Sequence, residues 1–478
     1  MAKSKLSVNQ VITSGRNSYT IVKALNDTGS QGGIYLASDK SGQSCVLKWY
    51  WRNDAAQSGN IEKMTQSGLP EQLMRLRGIK FLWPLDYVSN NESFGYILEY
   101  IDTSPRYNYE SVMIHEGKGG ALWDHEFLCR MSLILLEGFH KLHASGYCFM
   151  DVSRDNISFS DAGDIVVFDP DCIRVNDPDE LDPAKKNSPV DGTPGFIAPE
   201  ILRRENNPNT RTDLWQLSVL LFLLWVKHHP LDGELVLEDE KYNDINLLSK
   251  DPKFIFDRAK KDNCVEGDME EFGYVNTWWL LTPEPMREMF LKAFTTGCDP
   301  QNRLFEFAWK NAIDDVRANY LGKCPSCGRL VNKYAQLCIC CRKPLPKQHP
   351  PVKAPVAANP TQAAKPPSSQ SYTGVCLLVF EEGKRVKTIP IKNSAVFYGR
   401  DLSKMLDGKK KYGSIVESPQ NPSIIGLRNE TSTPWTCIKA DGKSFTVGNG
   451  SSMIIKHRNK FIIETDSGKV GISIFDFG

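Results

Sequence analysis

Four of the chain's 13 cysteines are spaced for metal binding. Cys324 and Cys327 form one C-x2-C pair, and after ten intervening residues Cys338 and Cys341 form a second. Two such pairs, each on a tight knuckle, predict a tetrahedral zinc site with four thiolate ligands. Gly328 suits the turn after the first pair, and Cys340 is a spare thiol with no assigned role. A ribbon this small folds only with its metal. Arg329, Lys333, Arg342 and Lys343 lie around it with Tyr334, a weak basic patch. A structural or protein-docking module is the expectation, and nucleic acid is not an expected partner. A second candidate is the run DTGSQGGIYLA, residues 27–37, where a glycine turn lets backbone N–H groups approach phosphate oxygens. An isolated glycine cluster is more often a plain hairpin turn, and the acid Asp27 disfavours a triphosphate nearby.

The rest of the chain gives that turn a context. Gly29, Gly32 and Ile34 fall at the positions of the protein-kinase Gly-rich loop, and sixteen residues after Gly32 comes Val46-Leu47-Lys48. Asp151 stands in GYCFMDVSRDNISF, Asn156 five residues later, and Asp169 thirteen after that in VVFDPD. The run Gly192-Thr193-Pro194-Gly195-Phe196-Ile197-Ala198-Pro199-Glu200 is the most specific string in the chain. Together these residues resemble a protein kinase, and the last string resembles the Ser/Thr branch over the Tyr branch. The resemblance covers residues 20–315. It implies an α+β, bilobal fold and transfer of the ATP γ-phosphate to protein Ser/Thr hydroxyls, with ATP and magnesium as cofactors. It implies that Lys48 pairs with phosphates, that Asp151 orients the attacking hydroxyl, and that Asn156 and Asp169 hold magnesium through oxygen ligands. GYILEYID resembles the hinge, with Leu98 as gatekeeper and Glu99 and Ile101 offering backbone groups to adenine. Thr193, Glu200, Asp213 and Arg303 match structural positions: Asp213 should bond the catalytic-loop backbone, and Arg303 should pair with Glu200. A helix glutamate should hold Lys48, and Glu62 and Glu71 are both open as that residue.

Three departures stand out. Phe149-Met150 replaces the His-Arg before the catalytic Asp, which removes the basic pocket for an activation-loop phosphate. Ser153 stands where Ser/Thr kinases carry a Lys, with Arg154 beside it. Pro170-Asp171 replaces Phe-Gly after the metal Asp. Asp171 is either a further magnesium ligand or a turn cap, and Pro170 should stiffen the segment. The alternative function is therefore a pseudokinase, an ATP-binding scaffold that docks partners through its other modules.

The elements that must position these groups are legible as patterns. TIVKAL, GIYLAS, SCVLKWYW and YILEYI read as strands rich in β-branched and aromatic residues. EFLCRMSLILLEGFHKLHASG reads as a helix from its apolar spacing. Strands first and helices later suggest an α+β pair of lobes, about 1–100 and 101–318, which the resemblance makes a kinase domain over 1–318. A zinc ribbon follows at 319–346. Residues 347–371, rich in Pro, Ala and Ser, read as a flexible linker. Short strand-like runs over 372–478, such as VCLLVF and KFIIET, predict an all-β sandwich. Tyr398-Gly399-Arg400-Asp401 gives this region an outline similar to forkhead-associated domains. That likeness makes Arg400 a candidate phosphopeptide ligand, although the family's Ser-x-x-His string is missing.

Composition sets outer bounds. The chain has 478 residues, 41% apolar and 24% charged, with a net charge of +1, so bulk charge argues for neither nucleic acid nor membrane. The longest apolar run, Leu217–Val226, is about half a bilayer span and reads as a buried core helix. The polar N-terminus shows no secretory signal. Scattered cysteines indicate a reducing cytoplasm. The domain order is similar to bacterial kinases of tellurite-resistance-associated phosphorylation systems. That likeness implies protein substrates, a PP2C-type phosphatase and a von Willebrand A-type protein as partners.

Overall fold

A computed structural model of the chain describes residues 5–29, 31–90, 92–102, 106–108, 123–160, 163–176, 192–238, 246–349, 375–381, 384–391, 395–417, 425–439, 444–455, 459–465 and 468–476. Most of the expected linker, from residue 350 on, lies outside these. The chain divides into two compact units. One comprises residues 1–112, 130–181 and 208–213, and the other 113–129, 182–207 and 214–478.

The first unit is organised by a six-stranded antiparallel sheet. Its strands are β1 (Val11–Thr13), β2 (Ser18–Asn26), β3 (Gly32–Asp39), β4 (Ser44–Tyr50), β6 (Asp86–Ser89) and β7 (Phe94–Glu99), in the order β1-β2-β3-β4-β7-β6. The four strand-like runs of the N-terminal region coincide with β2, β3, β4 and β7, except that Trp51, Tyr100 and Ile101 lie past the strand ends. Alternate residues of a strand share a face, so Tyr19, Ile21, Tyr35, Leu47 and Trp49 bury together as one core. Helix α1 (Ala55–Ser67) follows β4. It starts where the Asp54 carboxylate accepts the N–H groups of Ala56 and Gln57, and ends at Gly68, whose positive φ of 70° suits glycine and whose N–H bonds the Met64 carbonyl. Helix α2 (Glu71–Met74) is a single turn. Strand β5 (Ile79–Phe81) pairs in parallel with Ile165–Val167, which pairs in turn with Ile157–Ser160. That small sheet sets the ends of the segments bearing Asn156 and Asp169.

In the second unit the apolar run Leu217–Val226 is buried along its whole length within the helix Thr210–Val226, the core helix expected of it. No helix among the described residues is long and apolar enough to cross a membrane. The C-terminal region is sheet-rich. One sheet runs Lys384–Pro390, Val375–Glu381, Gly468–Asp476, Lys460–Thr465, Trp435–Ile438, Ser444–Val447. The other runs Val396–Tyr398, Lys411–Glu417, Ile425–Asn429, Ser452–Ile454. Both contribute to one core, with Leu377, Val379 and Ile472 from the first sheet and Phe397, Ile415 and Leu427 from the second. This is sheet-on-sheet packing.

Candidate active site and metal centre

Strand alternation puts Lys48 and Tyr50 on one face of β4, and the β4–β7 register sets Tyr96 directly opposite Lys48. Ile34 pairs with Lys48 from the other side. Lys48 Nζ lies 3.2 Å from Asp169 and donates to both carboxylate oxygens of Asp171 at 3.1 Å. Tyr50 and Tyr96 also donate their hydroxyls to Asp171, Tyr96 at 2.7 Å. Both phenols are buried, and the Tyr50 ring stacks on Phe94 at 4.6 Å. Burial alone would lower the Lys48 pKa, but the charges of Asp171 and Asp169 outweigh it and the net shift is upward. Burial acts to raise Asp171, and Lys48 with the two phenols overcomes it, so this carboxylate is held below the ordinary range.

This arrangement overturns the expected lysine partner. Glu62 is exposed and bonds Gln66 in its own helix, and Glu71 pairs with Arg75 one turn on. The inner face of α1 carries Ser58, Ile61 and Met64, and Glu62 is rotated about 100° from Ile61. The helix meets the site instead through Gln57, whose Nε2 donates to the Tyr50 hydroxyl at 3.1 Å. Tyr50, Tyr96 and Gln57 were missed in the sequence. The signal for the tyrosines was two phenols in register with Lys48 on paired strands.

The catalytic-loop residues converge on the same unit. Asn156 donates Nδ2 to the Asp151 carboxylate and to its backbone oxygen, both at 3.0 Å. That leaves the Asn156 Oδ1 as the acceptor for a hard cation. Asp213 accepts the N–H groups of Phe149 at 2.6 Å and Met150 at 3.1 Å and lies 3.0 Å from His143 Nε2. Those bonds pin Met150, whose φ of 63° is left-handed. Asp169 is left-handed too, with φ 55°, and Pro170 opens a tight turn in which Cys172 N–H bonds the Asp169 carbonyl at 3.0 Å. Such conformations in non-glycine residues cost about 1–3 kcal/mol each and concentrate at functional sites. Pro170 therefore helps fold Asp171 back toward Lys48. Ser153 is fully buried, and its hydroxyl has no partner among the described residues. Arg154 is half-buried.

The glycine turn has a reason besides phosphate. A Cβ at Gly32 would sit 2.4 Å from the Trp49 carbonyl oxygen, and one at Gly29 would sit 2.5 Å from the Gly32 carbonyl oxygen. In the hinge region Leu98 is buried opposite Val46, Glu99 is exposed and ion-paired with Lys80, and Ile101 is half-buried. In the second unit Arg303 makes a bidentate ion pair with Glu200, both contacts 2.6 Å and both side chains 2% exposed. The Thr193 carbonyl accepts the Phe196 N–H at 3.0 Å. Arg400 is exposed and lies over the Tyr398 ring at 4.9 Å.

Cys324, Cys327, Cys338 and Cys341 bring their sulfurs within 4.8 Å of one another. Among the described residues they are the single group of three or more His, Cys, Asp or Glu ligand atoms at metal distance. The Cys324–Cys341 and Cys327–Cys338 sulfurs are 3.8 and 3.6 Å apart. A tetrahedron with zinc–sulfur bonds of about 2.3 Å has edges near 3.8 Å, so the four thiols fit zinc. Two equivalent knuckles build the set. Gly328 N–H bonds the Cys324 carbonyl and Arg342 N–H the Cys338 carbonyl; Cys324 N–H bonds the Arg329 carbonyl and Cys338 N–H the Lys343 carbonyl. Gly328 and Arg342 are both left-handed, so Arg342 stands where a glycine would be easier. The strand Leu330–Asn332 ties the knuckles down. Asn332 N–H donates to His125 Nδ1 at 3.0 Å, and its Nδ2 donates to the Leu281 carbonyl at 3.1 Å. Burial pushes His125 down to about 3, so it stays a neutral acceptor.

The family profile described as a protein kinase domain matches residues 28–286, more than half of the chain. The chain belongs to the protein kinase family. The kinase domain is 24% identical to CBL-interacting protein kinase 12 of Oryza sativa subsp. japonica over 217 residues, 45% of this chain and 38% of that protein. It is 26% identical to the serine/threonine-protein kinase STE20 of Candida glabrata over 200 residues, 40% of this chain and 19% of that protein. With CBL-interacting serine/threonine-protein kinase 13 of Arabidopsis thaliana it shares 24% over 228 residues, 46% of this chain and 41% of that protein. The chain thus spans less than half the length of these curated relatives.

Proposed function

We propose that the chain is a serine/threonine protein kinase that transfers the ATP γ-phosphate to protein hydroxyls. The observation that carries this reading is the gathering of Lys48, Asp151, Asn156 and Asp169 in one compact unit, with Lys48 beside Asp169 and Asn156 bonded to Asp151. Phosphoryl transfer asks a protein mainly to position groups and to offset charge. Asp151 orients the hydroxyl and accepts its proton, and Lys48 binds the phosphates. Gly29, Gly32 and Ile34 cover the phosphates, while Leu98, Glu99 and Ile101 frame adenine. Asn156 and Asp169 fit magnesium, which needs only one or two protein carboxylates beside water and phosphate oxygens. When bound, the cation supplies charge for the leaving phosphate oxygens.

Around this core we assign a zinc ribbon at 319–346 and a forkhead-associated-like domain at 372–478 with Arg400 as its phosphopeptide contact. A cytoplasmic bacterial signalling role fits that arrangement. A PP2C-type phosphatase and a von Willebrand A-type protein would be the partners. Phosphate incorporation from γ-labelled ATP by the full chain tests the activity. Asp151→Ala should lower it about 1,000-fold, the usual scale for losing an acid–base group. Tight ATP binding with no incorporation by either protein would leave the scaffold function instead.

A further inference from the structure

We propose that Asp171, braced by the hydroxyls of Tyr50 and Tyr96, is the positioning residue for Lys48, and that no carboxylate of α1 or α2 has that role. The proposal rests on the kinase reading above and names a device within its site. A carboxylate offers about four acceptor positions. On Asp171 these take Lys48 on both oxygens, Tyr96 on Oδ1 and Tyr50 on Oδ2. Its side chain is 9% exposed, whereas that of Asp169 is 41% exposed. The two acids of the Asp-Pro-Asp segment thus divide the work. Asp169 keeps an accessible face that would serve a cation, and the acceptor positions of Asp171 are taken by protein donors.

The struts are themselves fixed. Tyr96 is fully buried on β7, and Tyr50 is stacked on Phe94 and bonded by Gln57. The lysine's anchor therefore comes from the metal loop and the sheet. The contribution of α1 to this network is the neutral amide of Gln57 at second hand.

The test uses the full chain, with kcat and KM for ATP and the half-saturating magnesium concentration measured for each variant, and thermal melts to check folding. Asp171→Asn should lower kcat/KM about 100-fold, the scale of a misplaced phosphate-binding group, and leave the magnesium requirement unchanged. Asp169→Asn should raise that requirement, while Glu62→Gln and Glu71→Gln should behave as wild type. If Asp171→Asn does not fold, Tyr96→Phe carries the test, with an expected loss of about 5-fold for one hydrogen bond. A magnesium requirement raised by Asp171→Asn as much as by Asp169→Asn overturns the proposal. So does a loss in Glu62→Gln or Glu71→Gln matching that of Asp171→Asn, or an unaltered Tyr96→Phe. A wild type that binds ATP but transfers nothing would refute the kinase reading alone. ATP affinity then decides: Asp171→Asn should weaken it about 10-fold, and an unchanged affinity overturns the proposal.

Discussion

The cysteine ribbon and the lysine–aspartate site both gather charged or ligating atoms, but they are assembled over different distances. The ribbon's four sulfurs come from 18 residues, Cys324 to Cys341, on two knuckles whose backbone bonds repeat. The lysine site joins β4 to a turn 123 residues away, with Tyr96 intervening from 75 residues before Asp171. In the first case spacing dictates geometry, because each ligand pair closes its own turn. In the second, geometry follows from strand register and from one proline-initiated turn, so a single substitution in the sequence can change partners without a visible motif.

The largest expected effect separates the two regions. Replacing Cys338 with Ser, or removing zinc with a strong chelator and then restoring magnesium, should cost the ribbon most of a metal-coupled folding energy of order 10 kcal/mol. Amide exchange across residues 321–343 should then rise to that of an unfolded chain, while ATP affinity stays as it was. Loss of ATP affinity on chelation would break the comparison, since the distant site would then depend on the local one. Next in size is the other long-range pair. Glu200→Ala leaves a buried Arg303 guanidinium without its partner and should destabilise the chain by about 3–5 kcal/mol in denaturant unfolding. A cost below about 1 kcal/mol would mean that residues 103 positions apart are not held by their ion pair.

The smallest effect sharpens the ribbon side. His125 is neutral in the fold, with its pKa lowered from 6.5 to about 3. A histidine lowered in this way contributes fully above 6.5 and progressively less as pH falls toward 3, because the unfolded chain takes up the proton first. Near pH 4.5, two pH units below the unfolded value, the loss should be about 3 kcal/mol. Melting curves of wild type and His125→Gln should converge as pH falls; parallel curves would show that the histidine is not the titrating anchor.

The legibility of the chain follows the same division. The strands of the first sheet, the helix around Leu217–Val226 and the cysteine spacing could be read because each rests on local pattern. Glu200 with Arg303 and Asp213 with the catalytic-loop backbone are expectations of the kinase resemblance; Arg303 bonds the Glu200 carboxylate, and Asp213 accepts the Phe149 N–H. The lysine's partner was not legible: the kinase resemblance implies a helix glutamate and leaves Glu62 and Glu71 both open. Periodicity argued against Glu62, one residue off the Ile61–Met64 face. Nothing local marked Asp171, because its environment is made by β4 and β7. The anchoring of the ribbon by His125 was equally hidden, since it joins a helix start to a strand 207 residues later.

Gln57 carries one more consequence. Helix α1 holds the lysine network through an amide-to-phenol bond, and it reaches the metal loop through Asn60 Nδ2 on the Ile173 carbonyl at 2.8 Å. Neutral hydrogen bonds of this kind are worth about 1 kcal/mol each. A ligand or partner that pulls on α1 can transmit no more than its difference in free energy between the helix positions. Through these two bonds that handle is about 2 kcal/mol, or roughly 30-fold in an equilibrium. The direct donors to Asp171, namely Lys48, Tyr50 and Tyr96, all lie on the sheet, so an effector that acts on the sheet meets the lysine network without passing through the helix.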